Sequence, residues 1–225
     1  MMNKLSFHPL FQRVSSPPTP SQGSALERFH KSMRIGYLEW HDGIGYDLDA
    51  LIQMNNEDLR TIEALLISRK DRDWRDVEGL AALGTTRSVA ALHECLHSSN
   101  NDVKLFAVKF LREMEIADRV EEVVLETLPH TKIGEGMTFA LDLAEKYPTE
   151  RIKQKVLWCS LNGNDDIRIH CAAMALYLYG VSTSNFDSNY RVIFEFREPS
   201  RAKRLKSFFE LCGYIGVDPE EFLHI

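Results

Sequence analysis

No run of apolar residues in this 225-residue chain approaches the ~20 needed to cross a bilayer as a helix, so no membrane span is expected. The N-terminus also lacks the uninterrupted apolar stretch of a secretory signal. After Lys4 that pattern is broken by Ser6, His8, Pro9, Gln12 and Arg13, and a cytoplasmic protein is expected. Cysteine is scarce. Cys95, Cys159, Cys171 and Cys212 fall in apolar helical patterns with no Cys-x-x-Cys pair, which leaves neither a zinc ligand spacing nor a disulfide framework and suits small core residues. Walker and dinucleotide glycine loops are missing, and so is a Gly-x-Ser-x-Gly elbow. The chain is therefore read as non-enzymatic, with no catalytic residue, no metal and no cofactor.

Proline and serine concentrate at the start, in Ser15-Ser16-Pro17-Pro18-Thr19-Pro20-Ser21, where apolar density is too low to offset chain ordering. Residues 1–24 are read as a flexible tail. The remainder, 44% hydrophobic and 27% charged over the whole chain, has ordinary globular usage and suffices for one domain, 25–225. Its main feature is a two-helix pattern recurring four times between Glu57 and Gly180. Asp76-Val77, Asp102-Val103, Gly136-Met137 and Asp166-Ile167 each open an apolar helix, at spacings of 26, 34 and 30 residues, and each follows another amphipathic helix. The spacing predicts helices at Glu57 to Ser68, Trp74 to Leu83, one capped by Thr85 or Thr86, Val103 to Met114, Val120 to Leu128, Gly134 to Lys146, Thr149 to Leu161 and Asp165 to Tyr179. A non-repeating segment follows, carrying Phe186, Tyr190, Val192, Phe194 and Phe196. A last helix is expected from Pro199 to about Gly213. The expected architecture is all-α: an N-terminal cap over 25–56, repeats over 57–180 and a C-terminal cap over 181–225.

At Asp73-Trp74-Arg75-Asp76-Val77-Glu78-Gly79-Leu80-Ala81-Ala82-Leu83-Gly84, at Asn101-Asp102-Val103-Lys104 and at Asp165-Asp166-Ile167-Arg168, the chain resembles HEAT-like repeats, in which the inner helix opens Asp-x-Val-Arg and closes Leu-Gly. The third repeat, Gly134-Glu135-Gly136-Met137, departs from this pattern. The resemblance implies a short right-handed α-solenoid of about four helix pairs, a form that builds binding surfaces more often than reaction centres. The flanks, Glu39 to Leu48 and Phe208 to Asp218, are similar to small bacterial HEAT-like proteins, some of which accompany polymorphic toxins. That likeness implies an immunity-type protein that neutralises a cognate toxin by binding it.

Net charge is −6, and the stretch from Glu39 to Glu78 holds eleven acidic residues against five basic ones, an excess equal to the whole net charge. Nucleic acid is a poor partner for such an edge, and a basic protein suits it better. The candidate partner-binding residues are Glu39, Trp40, His41, Asp42, Tyr46, Asp47, Asp71, Asp73, Trp74 and Asp76, with carboxylates meeting positive groups and Trp40, Tyr46 and Trp74 as anchors. Two bases for other readings are weighed beside this one. His93-Glu94 occurs once, far short of the repeated pairs of a di-iron HEAT-repeat hydroxylase. Arg197, Arg201, Lys203, Arg204 and Lys206 form a basic cluster, read as the solvated face of a helix or as an anion patch. The alternatives carried forward are a HEAT-like enzyme of lyase or DNA-glycosylase type handling a chromophore or nucleic acid, and a general scaffold.

Overall fold

The computed structural model describes residues 23–34, 36 and 42–223. Among these the chain is all-α. Among the described residues the only β pairing is isolated bridging of Lys132 with Glu135 and Gly136. The chain divides after Asp118 into two compact units, a boundary that lies between the second and third of the anticipated helix pairs.

The first unit contains α1 (Ala25–Ser32), α2 (Leu48–Gln53), α3 (Asn56–Arg69), α4 (Trp74–Leu83), α5 (Thr86–Cys95) and α6 (Asn101–Glu113). Each start is set locally by a side chain that accepts from an otherwise unpartnered backbone N–H: Ser24, Asp47, Asn55, Asp73, Thr85 and Asn100. The Asn100 side chain accepts from the Asp102 N–H at the start of α6. α4 ends where Gly84 takes a left-handed conformation, φ 58°. α4 packs against α2, α3, α5 and α6, and α3 also against α5, so a helix meets both its neighbour and the next one along. Leu59, Ile62, Leu66, Val77, Leu80, Leu92, Val103, Ala107 and Leu111 fill the space between them and are at most 3% exposed.

The second unit repeats that order. α7 (Val120–Thr127) tightens into a 3-10 turn at Leu128–His130, where Pro129 has no N–H to continue an α-helix. α8 (Met137–Lys146), α9 (Glu150–Asn162) and α10 (Ile167–Leu178) follow. α8 begins at Met137 rather than Gly134 because Gly134 and Gly136 both have positive φ, 76° and 82°. α10 is buried almost all round, from Ile167 to Ile169 and from Cys171 to Leu176, as expected of a helix apolar on every face. Next come a 3-10 helix at Arg191–Arg197, α11 (Arg201–Ile215) and a closing 3-10 turn at Pro219–Phe222. α11 starts two residues later than its proline suggests and runs past Gly213 to a left-handed Gly216. α7 packs on α8 and α9, α8 on α10, and α11 on α9, α10 and the Arg191–Arg197 helix.

One glycine in this unit is required by space. A Cβ on Gly163 would lie 2.6 Å from the carbonyl oxygen of Cys159 and 2.6 Å from Cγ2 of Ile167, so α9 and α10 close around it with no room for a methyl group. Gly163→Ala is expected to cost about 2–3 kcal/mol. Urea unfolding of the purified variant measures this, and a loss below ~0.5 kcal/mol would show that the turn relaxes freely.

Candidate functional site

The anticipated partner residues separate on folding. Glu39, Trp40 and His41 lie outside the described residues. Asp42 and Asp71 are exposed, whereas Asp47, Asp73 and Trp74 are half-buried, and Tyr46 and Asp76 are buried at 7% and 0% exposure.

Asp76, expected on an accessible acidic edge, is instead the centre of an internal cluster, and this corrects the sequence reading. The Tyr46 hydroxyl donates to its Oδ1 at 3.0 Å and Arg69 Nε lies 3.3 Å from the same oxygen. Burial holds the Asp76 carboxyl above its ordinary range, against the opposing influence of Arg69 and the Tyr46 hydrogen bond. Burial also pushes the Tyr46 phenol well above its ordinary value, and the Asp76 charge adds to the effect. Tyr46 is thus a proton donor at every physiological pH, edge-on to Phe29 with ring centroids 5.6 Å apart. It is an anchor for its own fold rather than for a partner.

Two more carboxylates are consumed locally. Asp73 caps α4 and accepts from Arg75 Nε at 2.7 Å and from a second guanidinium nitrogen, the bidentate arrangement that suits arginine. The Arg75 guanidinium carbon sits 6.0 Å from the Tyr46 ring centroid and 5.7 Å from that of Trp74. Trp74 stacks on Phe106 at 4.7 Å. Asp47 caps α2 and pairs with Arg28 at 3.3 Å. The segment 45–47 is thereby fastened onto α1 and α4. Gly45 makes the close approach possible, since a Cβ there would stand 2.7 Å from the Glu78 carboxylate.

What remains at the surface is a smaller feature that the sequence reading did not single out. On α2, Ala50 and Leu51 turn inward, while Asp49, Ile52 and Gln53, at helical spacing of three and four, face solvent. Ile52 is 59% exposed and Ile44, in the loop before α2, is 50% exposed. Gln53 is tied to Arg28 at 3.1 Å. Asp49 has no ion-pair or hydrogen-bond partner for its carboxylate among the described residues. Its signal was present in the sequence, but only after Asp47 is recognised as the cap that fixes the helix phase.

The remaining chemistry is quiet. All four cysteines are buried and free. Burial raises Cys95 and Cys212 to about 12, and Cys171, beside Cys159, also lies well above an ordinary thiol, so Cys95, Cys171 and Cys212 supply no thiolate at neutral pH. Among the described residues no group of three or more His, Cys, Asp or Glu is placed to hold a metal ion, and no helix is long and apolar enough to cross a membrane. Glu94 pairs with Lys70 at 3.2 Å. In the second unit a cavity of about 440 Å³ is lined by Leu125, Arg151, Lys155, Trp158, Glu221 and Phe222 among others, with Lys155 Nζ 4.7 Å from the Trp158 ring centroid. Comparison with known protein families, with curated proteins and with solved structures finds no match for this chain.

Proposed function

We propose that this protein is a non-enzymatic protein-binding module, a short right-handed α-solenoid of HEAT-like helix pairs that grips a basic partner with its N-terminal edge. Within each unit, helices pack on both the next helix and the next but one, the arrangement by which stacked hairpins share a continuous core. The observation that carries the binding role is the outward row of α2. Ile52, 59% exposed, stands beside the unpartnered Asp49 and follows the half-exposed Ile44 in sequence. An apolar anchor among carboxylates fits a cationic surface with a hydrophobic recess. The partner chemistry implied by the resemblance is a basic bacterial toxin domain, neutralised by occlusion.

Because Asp47, Asp73 and Asp76 are already paired with arginines and Asp71 lies 3.9 Å from Lys70, salt sensitivity falls mainly on Asp49. The test is a pull-down from the native host with wild-type and Asp49→Lys/Ile52→Asp baits in parallel. Wild type retains one basic protein at 50 mM salt and loses it by about 500 mM; the double variant retains at least ten-fold less. Expression of the captured protein alone arrests growth, and co-expression of this chain relieves the arrest. Equal retention by the two baits would remove the α2 edge from the binding role, and capture of a harmless partner would remove the toxin reading.

A further inference from the structure

The 3-10 helix at Arg191–Arg197 is seven residues long, about twice the usual limit for this geometry. A 3-10 helix has three residues per turn, so side chains three apart eclipse in straight rows. One row here is Tyr190, Ile193 and Phe196, with Ile193 and Phe196 fully buried against the core. Another is Arg191, Phe194 and Arg197, which faces outward, both arginines being exposed. Their guanidinium carbons lie 5.5 Å and 5.6 Å from the Phe194 ring centroid, so one ring carries two cations. Neither has a carboxylate partner among the described residues.

The row continues into an aromatic platform. Phe194 meets Phe186 edge-on at 6.4 Å, and Phe186, 39% exposed, lies 5.4 Å from the His170 ring. Burial and the Arg197 charge hold His170 below the ordinary histidine range, so at neutral pH it adds a neutral ring. The other charges near this surface are Glu195, exposed on the same 3-10 helix, Asp166, which acts on His170, and Asp187, which is bonded to Ser182. The rest of the basic cluster is largely committed. Arg204 is buried, Lys203 pairs with Glu198 at 3.3 Å and Arg201 reaches Asn162 Oδ1 at 3.4 Å.

We infer that this surface is a binding site for single-stranded nucleic acid, with phosphates on Arg191 and Arg197 and an unstacked base on Phe186. Two adjacent cations with no internal counter-ion supply the phosphate contacts, and an exposed ring beside them supplies the sequence-tolerant stacking that single strands offer and duplexes withhold. An acidic peptide would satisfy the arginines but not Phe186. The site lies in the second unit and does not depend on the α2 edge.

Fluorescence anisotropy with a 5′-labelled ten-nucleotide oligo-dT tests it, using the full chain. Wild type binds with a Kd on the order of 10 μM at 50 mM salt, and log K falls with log salt at a slope of about −1.4 for two phosphates. Arg191→Ala and Arg197→Ala each weaken binding about ten-fold and halve the slope. Phe186→Ala weakens it at least about five-fold with the slope unchanged, since stacking is lost and charge is not. Lys203→Ala stays within about two-fold of wild type. Thermal melting of each variant confirms folding. No anisotropy change at 100 μM protein would overturn the site. So would binding that Arg191→Glu and Arg197→Glu leave intact, equal affinity for a blunt duplex, or displacement by an equimolar poly-glutamate peptide.

Discussion

Asp76→Ala is expected to lower the free energy of unfolding by roughly 3–5 kcal/mol, while Asp76→Asn costs far less. The alanine removes the acceptor that both Tyr46 and Arg69 require, leaving the Tyr46 hydroxyl, 3.0 Å from the lost oxygen, buried without a partner. The asparagine retains a carbonyl for the hydroxyl and removes a buried charge. The pH dependence separates these effects. Asp76 has its carboxyl raised above 3.8 by burial, so the folded state holds its proton more tightly than the unfolded chain. Its contribution is therefore most favourable below the unfolded value and is lost as pH rises through the raised folded value, the reverse of a salt-bridged surface aspartate. Relative to wild type, Asp76→Asn should gain stability steadily over that same rise. Urea unfolding of the three proteins at several pH values measures it. A cost for alanine below ~1 kcal/mol, or an asparagine difference flat with pH, would contradict the cluster as described.

This cluster shows why the acidic edge was only partly legible from sequence. A charge count records eleven carboxylates but not their partners. Arg69 and Asp76 are seven residues apart, at the end of α3 and the start of α4, and only the intervening turn brings them together. Tyr46 comes from thirty residues away. By contrast, α4 begins and ends where the sequence places it, at Trp74 and Leu83, because Asp73 and Gly84 fix its ends through contacts within a few residues. The helix pairs were readable for the same reason. The Arg-Phe-Arg row was not: a search at a period of 3.6 scatters residues 191, 194 and 197 around a cylinder, and only a period of three aligns them. Within the basic cluster Arg197, Arg201, Lys203 and Lys206 are exposed as a solvated face requires, whereas Arg204 has the same spacing and yet points into the fold.

Arg204→Met is expected to cost about 3–4 kcal/mol, more than a surface arginine could. One Arg204 guanidinium nitrogen donates to the carbonyls of Glu198 and Pro199, both at 2.7 Å, and the other to that of Leu161 at 3.4 Å. The Glu198 and Pro199 carbonyls precede α11 and lie outside its helical bonding, and that of Leu161 lies in the last turn of α9, where carbonyls have no intrahelical donor. Arg168 does the same for the neighbouring turn, donating to Phe196 O at 3.0 Å and Gly163 O at 3.2 Å and pairing with Asp165 at 2.6 Å. Burial and the Arg168 charge both lower the Arg204 pKa, so the two cations repel while jointly bracing one junction. Lysine should not rescue either position, because a single ammonium cannot reach the carbonyls that a forked guanidinium spans. The double variant should depart from additivity by at least ~0.5 kcal/mol, as expected of groups sharing a network. Additive losses, or a cost for Arg204→Met below ~1 kcal/mol, would show the carbonyls to be satisfied by water instead. Because Arg168 and Arg204 fasten Phe196 and Glu198, on either side of Arg197, an Arg168→Met protein that stays folded should also weaken the oligonucleotide complex without removing a single surface charge.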